Sequence, residues 1–219
     1  LQQPDGWYLY ATAAQKPAAS AGRRLTDRGL ALYFSADGKT VVAEGNTYEN
    51  NDGRVRVYDV KTGTLRLKVQ DVTFPTAISP NGSVLAAAMA KSNGPRDYET
   101  IVLWDTASGT KLQELQAEIQ SQIPLAGMRG HYQVDSIAFS PDGRILLSSG
   151  PDAVRLWDTA TGEHLRCYQT PEHMGVAAAY WSGAGATIAG TGTALASYAN
   201  FDKEIYLWDP AVNWPTAVL

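Results

Sequence analysis

Four copies of one short element constrain this chain more than anything else in it: Leu103-Trp104-Asp105, Leu156-Trp157-Asp158 and Leu207-Trp208-Asp209, preceded by the looser Val57-Tyr58-Asp59. Successive aspartates lie 46, 53 and 51 residues apart, and a period of roughly 40–50 residues marks an array of stacked supersecondary units. Each unit of such an array buries its apolar surface only against its neighbours. Function must then come from what the array presents, because repetition specifies no chemistry.

The unit from His131 to Thr170 is the most regular. Residues 134–139 read as a strand, and Ser140-Pro141-Asp142-Gly143 as a tight turn in which proline presets φ and glycine accepts positive φ. A second strand covers 145–149, and Pro151-Asp152 turns the chain into a third over 154–157. Alternation puts Val154 and Leu156 on one face and Arg155 and Trp157 on the other. The turn 158–162 leads to a fourth strand over 163–168. The first turn recurs at 35–38, 79–82 and, degenerate, at 182–185; the post-tryptophan turn recurs at 61–63 and 107–109. Four antiparallel strands make a twisted sheet with two apolar faces, which needs a neighbour on each side.

These residues resemble the WD40 repeat family of β-propellers. The similarity is carried by Gly130-His131, by Phe139-Ser140-Pro141-Asp142-Gly143 and by Val154-Arg155-Leu156-Trp157-Asp158 within one unit. It implies an all-β propeller of four-stranded antiparallel blades, here four full blades plus half of one, as part of a larger ring. It also implies a structural hydrogen-bond relay of His, Asp, Ser or Thr, and Trp inside well-formed blades. That relay maps onto His131, Asp152, Ser148 or Ser149, and Trp157, and in the last blade onto His173, Asp202 and Trp208. Thr26 and Gln70 stand where the histidines of the first two full blades belong. A Ser/His/Asp set also invites a hydrolase reading, but no Gly-x-Ser-x-Gly elbow surrounds Ser148 or Ser149, so no catalytic residue is assigned.

Composition narrows the function classes. With 18 Lys and Arg against 22 Asp and Glu, a net charge of -4 supplies no general drive toward nucleic acid or anionic lipid. Arg23, Arg24 and Arg28 read as a solvated loop. The single cysteine, Cys167, closes no disulfide within the chain, and no Cys/His cluster has metal spacing, so neither metal nor cofactor is expected. The compartment leans reducing, with the cytoplasm favoured. From Met174 to Phe201 no charged residue occurs, a length that could span a bilayer, yet five glycines among Ser and Thr suit turns and strands better than a lipid-facing helix. No signal peptide is visible at the N-terminus.

The segment Trp7 to Tyr10 with the following turn and Lys16-Pro17 reads as the third and fourth strands of a blade whose first half is missing. The units are therefore a half blade with its connection (1–29), blades at 30–70, 71–130 with a long connection, 131–170 and 171–219, all in one propeller domain. Either remaining blades or another chain would cover the open ends. Leu112, Leu115, Ile119 and Ile123 fall at spacings of three and four, which suits a short helix as well as a strand.

The resemblance places the loops between second and third strands on the relay face, and three of them are long: 45–53, 91–99 and 193–201. They carry the expected binding residues Asn46, Tyr48, Asn50, Asn93, Arg96, Tyr98, Tyr198, Asn200 and Phe201. Tyrosine buries much area at little rotamer cost and keeps a polar tip, which suits protein contacts. The leading reading is a non-catalytic scaffold that binds a protein or peptide, including within a multi-subunit complex. An alternative is the recognition or sensor part of a larger enzyme, a kinase or nucleotide-driven switch, whose catalytic domain lies outside this segment. A third is a quinone-dependent dehydrogenase propeller, disfavoured because Leu65–Leu67 and Leu165–Tyr168 stand where that family docks a tryptophan.

Overall fold

The computed structural model describes residues 2–3, 6–9, 23–26, 31–45, 55–89, 98–118, 134–150, 153–168, 175–193, 205–210 and 215–218. The opening sheet holds β1 (Gln2–Gln3), β2 (Gly6–Leu9) and β3 (Arg23–Thr26) in the order β1-β2-β3. Four four-stranded sheets follow. The first comprises β4 (Ala31–Phe34), β5 (Thr40–Glu44), β6 (Val55–Asp59) and β7 (Leu65–Val69). The second comprises β8 (Val72–Ile78), β9 (Val84–Met89), β10 (Tyr98–Asp105) and β11 (Lys111–Glu118). The third comprises β12 (Ser136–Phe139), β13 (Ile145–Ser149), β14 (Val154–Asp158) and β15 (His164–Tyr168), and the fourth β16 (Gly175–Trp181), β17 (Ile188–Thr193), β18 (Ile205–Trp208) and β19 (Pro215–Val218). Every pairing is antiparallel between chain neighbours.

Alternation along each strand sends successive side chains to different interfaces, and this is what joins the sheets. In β9, Leu85 and Ala87 pack with Val42, Val57 and Leu67 of the first full blade, while Ala86 and Ala88 pack with Ile137, Leu146 and Trp157 of the third. Strand β14 repeats the device. Trp157 faces back toward the second blade, and Val154 and Leu156 face Val176, Ile188 and Trp208 of the fourth. The expected two faces of 154–157 are thus both buried, and even Arg155 is 3% exposed. Innermost strands touch in sequence: β8 lies against β12, and β12 against β16.

The turns are built to one plan. Ser35, Ser79 and Ser140 each accept a bond from the backbone N–H five residues on, at 2.9–3.0 Å. Each hydroxyl also donates to the Oδ1 of Asp37, Asn81 or Asp142, at 2.6–2.8 Å. In the fourth blade Ser182 keeps the first bond, and Ala184 removes the second partner. In the first three full blades the aspartate of the Trp-Asp or Tyr-Asp pair closes the next turn: Asp59, Asp105 and Asp158 accept the N–H of Thr62, Ser108 and Thr161 at 2.7, 2.6 and 2.8 Å. These bonds favour the carboxylate, and with the Thr62 hydroxyl and the Arg66 guanidinium added, the Asp59 carboxyl falls to about 2. Its folded pKa lies below the unfolded value of about 3.9, so its stabilisation is complete above that value and fades as pH falls through the folded one. Asp59→Ala is expected to melt below the parent at pH 7, with the gap narrowing between about pH 4 and pH 2. Thermal unfolding across that series checks it; a pH-independent gap contradicts it.

Several sequence expectations change here. Where half a blade is anticipated, the described residues form a sheet of three strands whose last is Arg23–Thr26, and Lys16-Pro17 lie outside the described residues. Arg23 and Arg24 therefore lie in a strand instead of a loop. The possible helix over 111–123 is strand β11 as far as Glu118. Leu112 and Leu115 are an odd number of positions apart, so a strand sends them to opposite faces, and Leu112 is 44% exposed while Leu115 is fully buried. The charge-free stretch holds strands β16 and β17 with their turn. No helix among the described residues is long and apolar enough to cross a membrane, which leaves β-barrel spans unaddressed.

Candidate functional site

Antiparallel pairing puts the first-to-second and third-to-fourth turns of every blade at one end, and the second-to-third loops with the blade connections at the other. The two ends differ in a way that bears on function. At the turn end the linking segments hold nearly constant length: 35–39, 79–83, 140–144 and 182–187, then 60–64, 106–110, 159–163 and 209–214. At the loop end they vary: 45–54, 90–97, 150–153 and 194–204, with connections of 70–71, 119–135 and 169–174. The constant end is locked by stacking. Asp37 N–H donates across to Pro80 O at 3.0 Å, Gly185 sits over the Pro141 ring, and Gln113 Nε2 donates to Ala160 O at 2.7 Å. A segment that must stack on its neighbour has no freedom to change length.

Turns of the first three blades also border a shallow cavity of about 430 Å³ lined by Asp37, Asn81 and Asp142 with Pro80 and Pro141. The Ser35 and Ser140 hydroxyls hold the Asp37 and Asp142 carboxyls below the usual carboxylate range. Their Oδ1 atoms are already engaged by the turns.

On the variable end, Asn46, Tyr48, Asn50, Asn93, Arg96, Tyr198, Asn200 and Phe201 lie outside the described residues. Tyr98 is different. It opens strand β10, opposite Glu118 of β11, so the second-blade loop is 90–97. Residues 98–100 pair with 116–118 on β11.

Beneath that end runs a polar link which sequence reading missed. Glu44, the last residue of β5, is 8% exposed and accepts a hydrogen bond from Thr76 on β8 of the next blade; Thr76 in turn is bonded to the Tyr33 hydroxyl on β4. Burial pushes the Glu44 carboxyl up, and burial likewise raises the Tyr33 phenol. The available signal was a charged residue closing the apolar run 41–43 just before a long loop.

The relay residues separate. Trp157 Nε1 donates to Ser148 Oγ at 2.9 Å, with both side chains at most 1% exposed. Ser149 is engaged elsewhere, with Ser136 Oγ at 2.7 Å. His131, Asp152, His173 and Asp202 lie outside the described residues. In the fourth blade the tryptophan link is not made: register places Gly190 where the third blade has Ser148, and the buried Trp208 Nε1 has no partner among the described residues. The indole lies on that glycine, whose added Cβ would sit 2.8 Å from Trp208 Cζ3. Ring volume has displaced the hydroxyl.

Residues 122–158, which include the Ser148–Trp157 pair, match the family model for the WD domain, G-beta repeat. These residues are a WD repeat, set in a chain of propeller-type four-stranded antiparallel sheets. The chain is 34% identical over 133 residues to apoptotic protease-activating factor 1 of Danio rerio, an alignment covering 58% of this chain and 8% of that protein. It is also 31% identical over 117 residues to the human WD repeat and SOCS box-containing protein 1, covering 49% of this chain and 23% of that one. Among solved structures, hydrazine synthase of Kuenenia stuttgartiensis superposes with a TM-score of 0.61 at 18% identity, over 95% of this chain and 52% of that chain. At that identity the likeness shows the fold alone. The WD-repeat chain spans under a quarter of the curated relatives named here.

Proposed function

We propose that this WD-repeat chain is a non-catalytic protein-interaction scaffold that reads a protein or peptide partner with its loop end. The supporting observation is the contrast in segment length, constant at the turn end and variable at the loop end. Only a surface free of packing constraint can diversify to recognise something. Stacked sheets supply the rigidity, so loops held on them lose little entropy on binding. Tyr48, Tyr98 and Tyr198 are the anchors in this reading, with Asn46, Asn50, Asn93, Arg96, Asn200 and Phe201 supplying adaptable polar and apolar contacts. The partner is a protein, in keeping with an acidic chain that has no electrostatic preference for nucleic acid. A scaffold of this kind can equally serve as the recognition part of a longer enzyme, with chemistry supplied elsewhere.

Replacing Tyr48, Tyr98 and Tyr198 together by Ala tests the assignment. Each buried aromatic anchor typically contributes about 2 kcal/mol or more, so proteins co-purifying with the intact parent should fall by well over tenfold while the melting temperature is kept. Undiminished recovery with an intact fold overturns it.

A further inference from the structure

The polar link between the first two full blades carries a charge that its structural task does not require. Register puts Glu44 opposite Val55, and the equivalent residues opposite Ile101, Val154 and Ile205 are Ala88, Ser149 and Thr191. Only the first full blade has an ionisable group at this position. The third blade shows that a seam closes without one. There Ser149 bonds to the Ser136 hydroxyl at 2.7 Å, and Ser136 accepts the backbone N–H of Ala179 on the fourth blade at 2.9 Å. Neutral oxygens suffice to tie one blade to the next.

Glu44 is 8% exposed, and none of the ion pairs among the described residues reaches it. Thr76 donates to its Oε1, so the Tyr33 phenol must donate to the Thr76 hydroxyl, and two O–H groups in series point their positive ends at the carboxylate. That fixes the side chain without neutralising it. Burial therefore pushes the carboxyl up, with no cation to hold it down. Oε2 has no hydrogen-bond partner among the described residues. Of their side-chain atoms only the Trp208 indole nitrogen is both partnerless and sealed from solvent, so Oε2 still reaches the surface. A buried carboxylate without a counter-charge is costly, and groups perturbed in this way mark functional sites.

We propose that Glu44, at the base of the loop end where β5 runs into residues 45–54, is the counter-charge for one lysine ammonium of the protein partner, seated between the first two full blades. This deepens the loop-end assignment and rests on it. The chemistry selects the occupant. A guanidinium fork seeks both carboxylate oxygens, whereas Thr76 already holds Oε1 and a compact ammonium needs only one. The small exposure of Glu44 suits a slender methylene stem that carries its charge at the tip. A net charge of -4 favours the approach of a basic segment. The hydroxyl chain holds the carboxylate in place before the partner arrives, so little ordering is lost on binding.

The test selects phage-displayed random dodecapeptides on the intact polypeptide that contains these residues. The peptide retained best is measured by calorimetry with its lysines changed singly to norleucine or arginine. One lysine is expected whose change to norleucine weakens binding roughly thirtyfold or more, and whose change to arginine also weakens it. Against Glu44→Gln the lysine and norleucine peptides should bind alike. Glutamine keeps an acceptor for Thr76, so the melting temperature of Glu44→Gln should match or exceed that of the parent. A loss of several degrees would mean that the chain supplies its own counter-charge, which Arg54→Gln and Arg96→Gln would locate, and overturns the proposal. Peptides that the triple Tyr48, Tyr98 and Tyr198 variant loses but Glu44→Gln keeps, or that need no lysine, overturn this inference alone. Failure to retain any peptide through those tyrosines ends the loop-end assignment and this one together.

Discussion

Trp157→Ala should lower the melting temperature by about 6–20 °C, the product of a truncation cost of about 3–5 kcal/mol and about 2–4 °C per kcal/mol for a chain of this size. The indole is 1% exposed and belongs to the cluster holding Leu103, Leu115 and Leu146, so its removal opens the seam between the second and third blades. Its hydrogen bond is the smaller part. Ser148→Ala leaves a buried N–H unpaired, for about 1–3 kcal/mol, which should appear as a drop of a few degrees. Trp157→Phe retains much of the volume and should fall between these two. Thermal unfolding of the three variants ranks them, and a Ser148→Ala loss as large as that of Trp157→Ala would mean that the relay outweighs the packing.

Gly82→Ala is the second large effect. Glycine here sits at φ +72°, and an added Cβ would lie 2.1 Å from Thr40 Oγ1 and 2.7 Å from Thr40 Cβ. Thr40 is fully buried, so it has nowhere to retreat. The left-handed backbone costs about 1–2 kcal/mol for a residue with a Cβ, and overpacking adds about 1–3. Gly38→Ala is the matched control, at φ +69° with nothing within 4 Å of its Cβ. It should show only the backbone cost. The difference between the two melting temperatures therefore measures the blade-to-blade contact, and equal losses would refute it.

Much of the fold was legible because its signals are local. Ser-x-Asp-Gly and Asp-x-x-Thr-Gly close their turns through bonds spanning two to five residues, so the residues that cause the structure sit beside each other in the chain. The errors arose where periodicity was ambiguous. Leucines at 112 and 115 fit a helix in isolation, and only pairing of β11 with β10 decides otherwise. In the last blade the tryptophan meets no hydroxyl at the position that Ser148 holds in the third, because register puts Gly190 there, and a glycine gives no such signal in sequence. The Glu44–Thr76–Tyr33 link was hidden for a related reason: it depends on which strands are neighbours.

Sequence alone determined that this chain is an array, how many units it repeats, and which end of each unit is a fixed turn, since hydrogen bonding within a few residues is enough to impose those. Tertiary structure alone decided which face each side chain shares with which blade, where polar groups cross between blades, and that one apolar face stays open at Tyr180 and Ile205. Burial belongs to pairs of sheets, and no single repeat carries the information about what covers it.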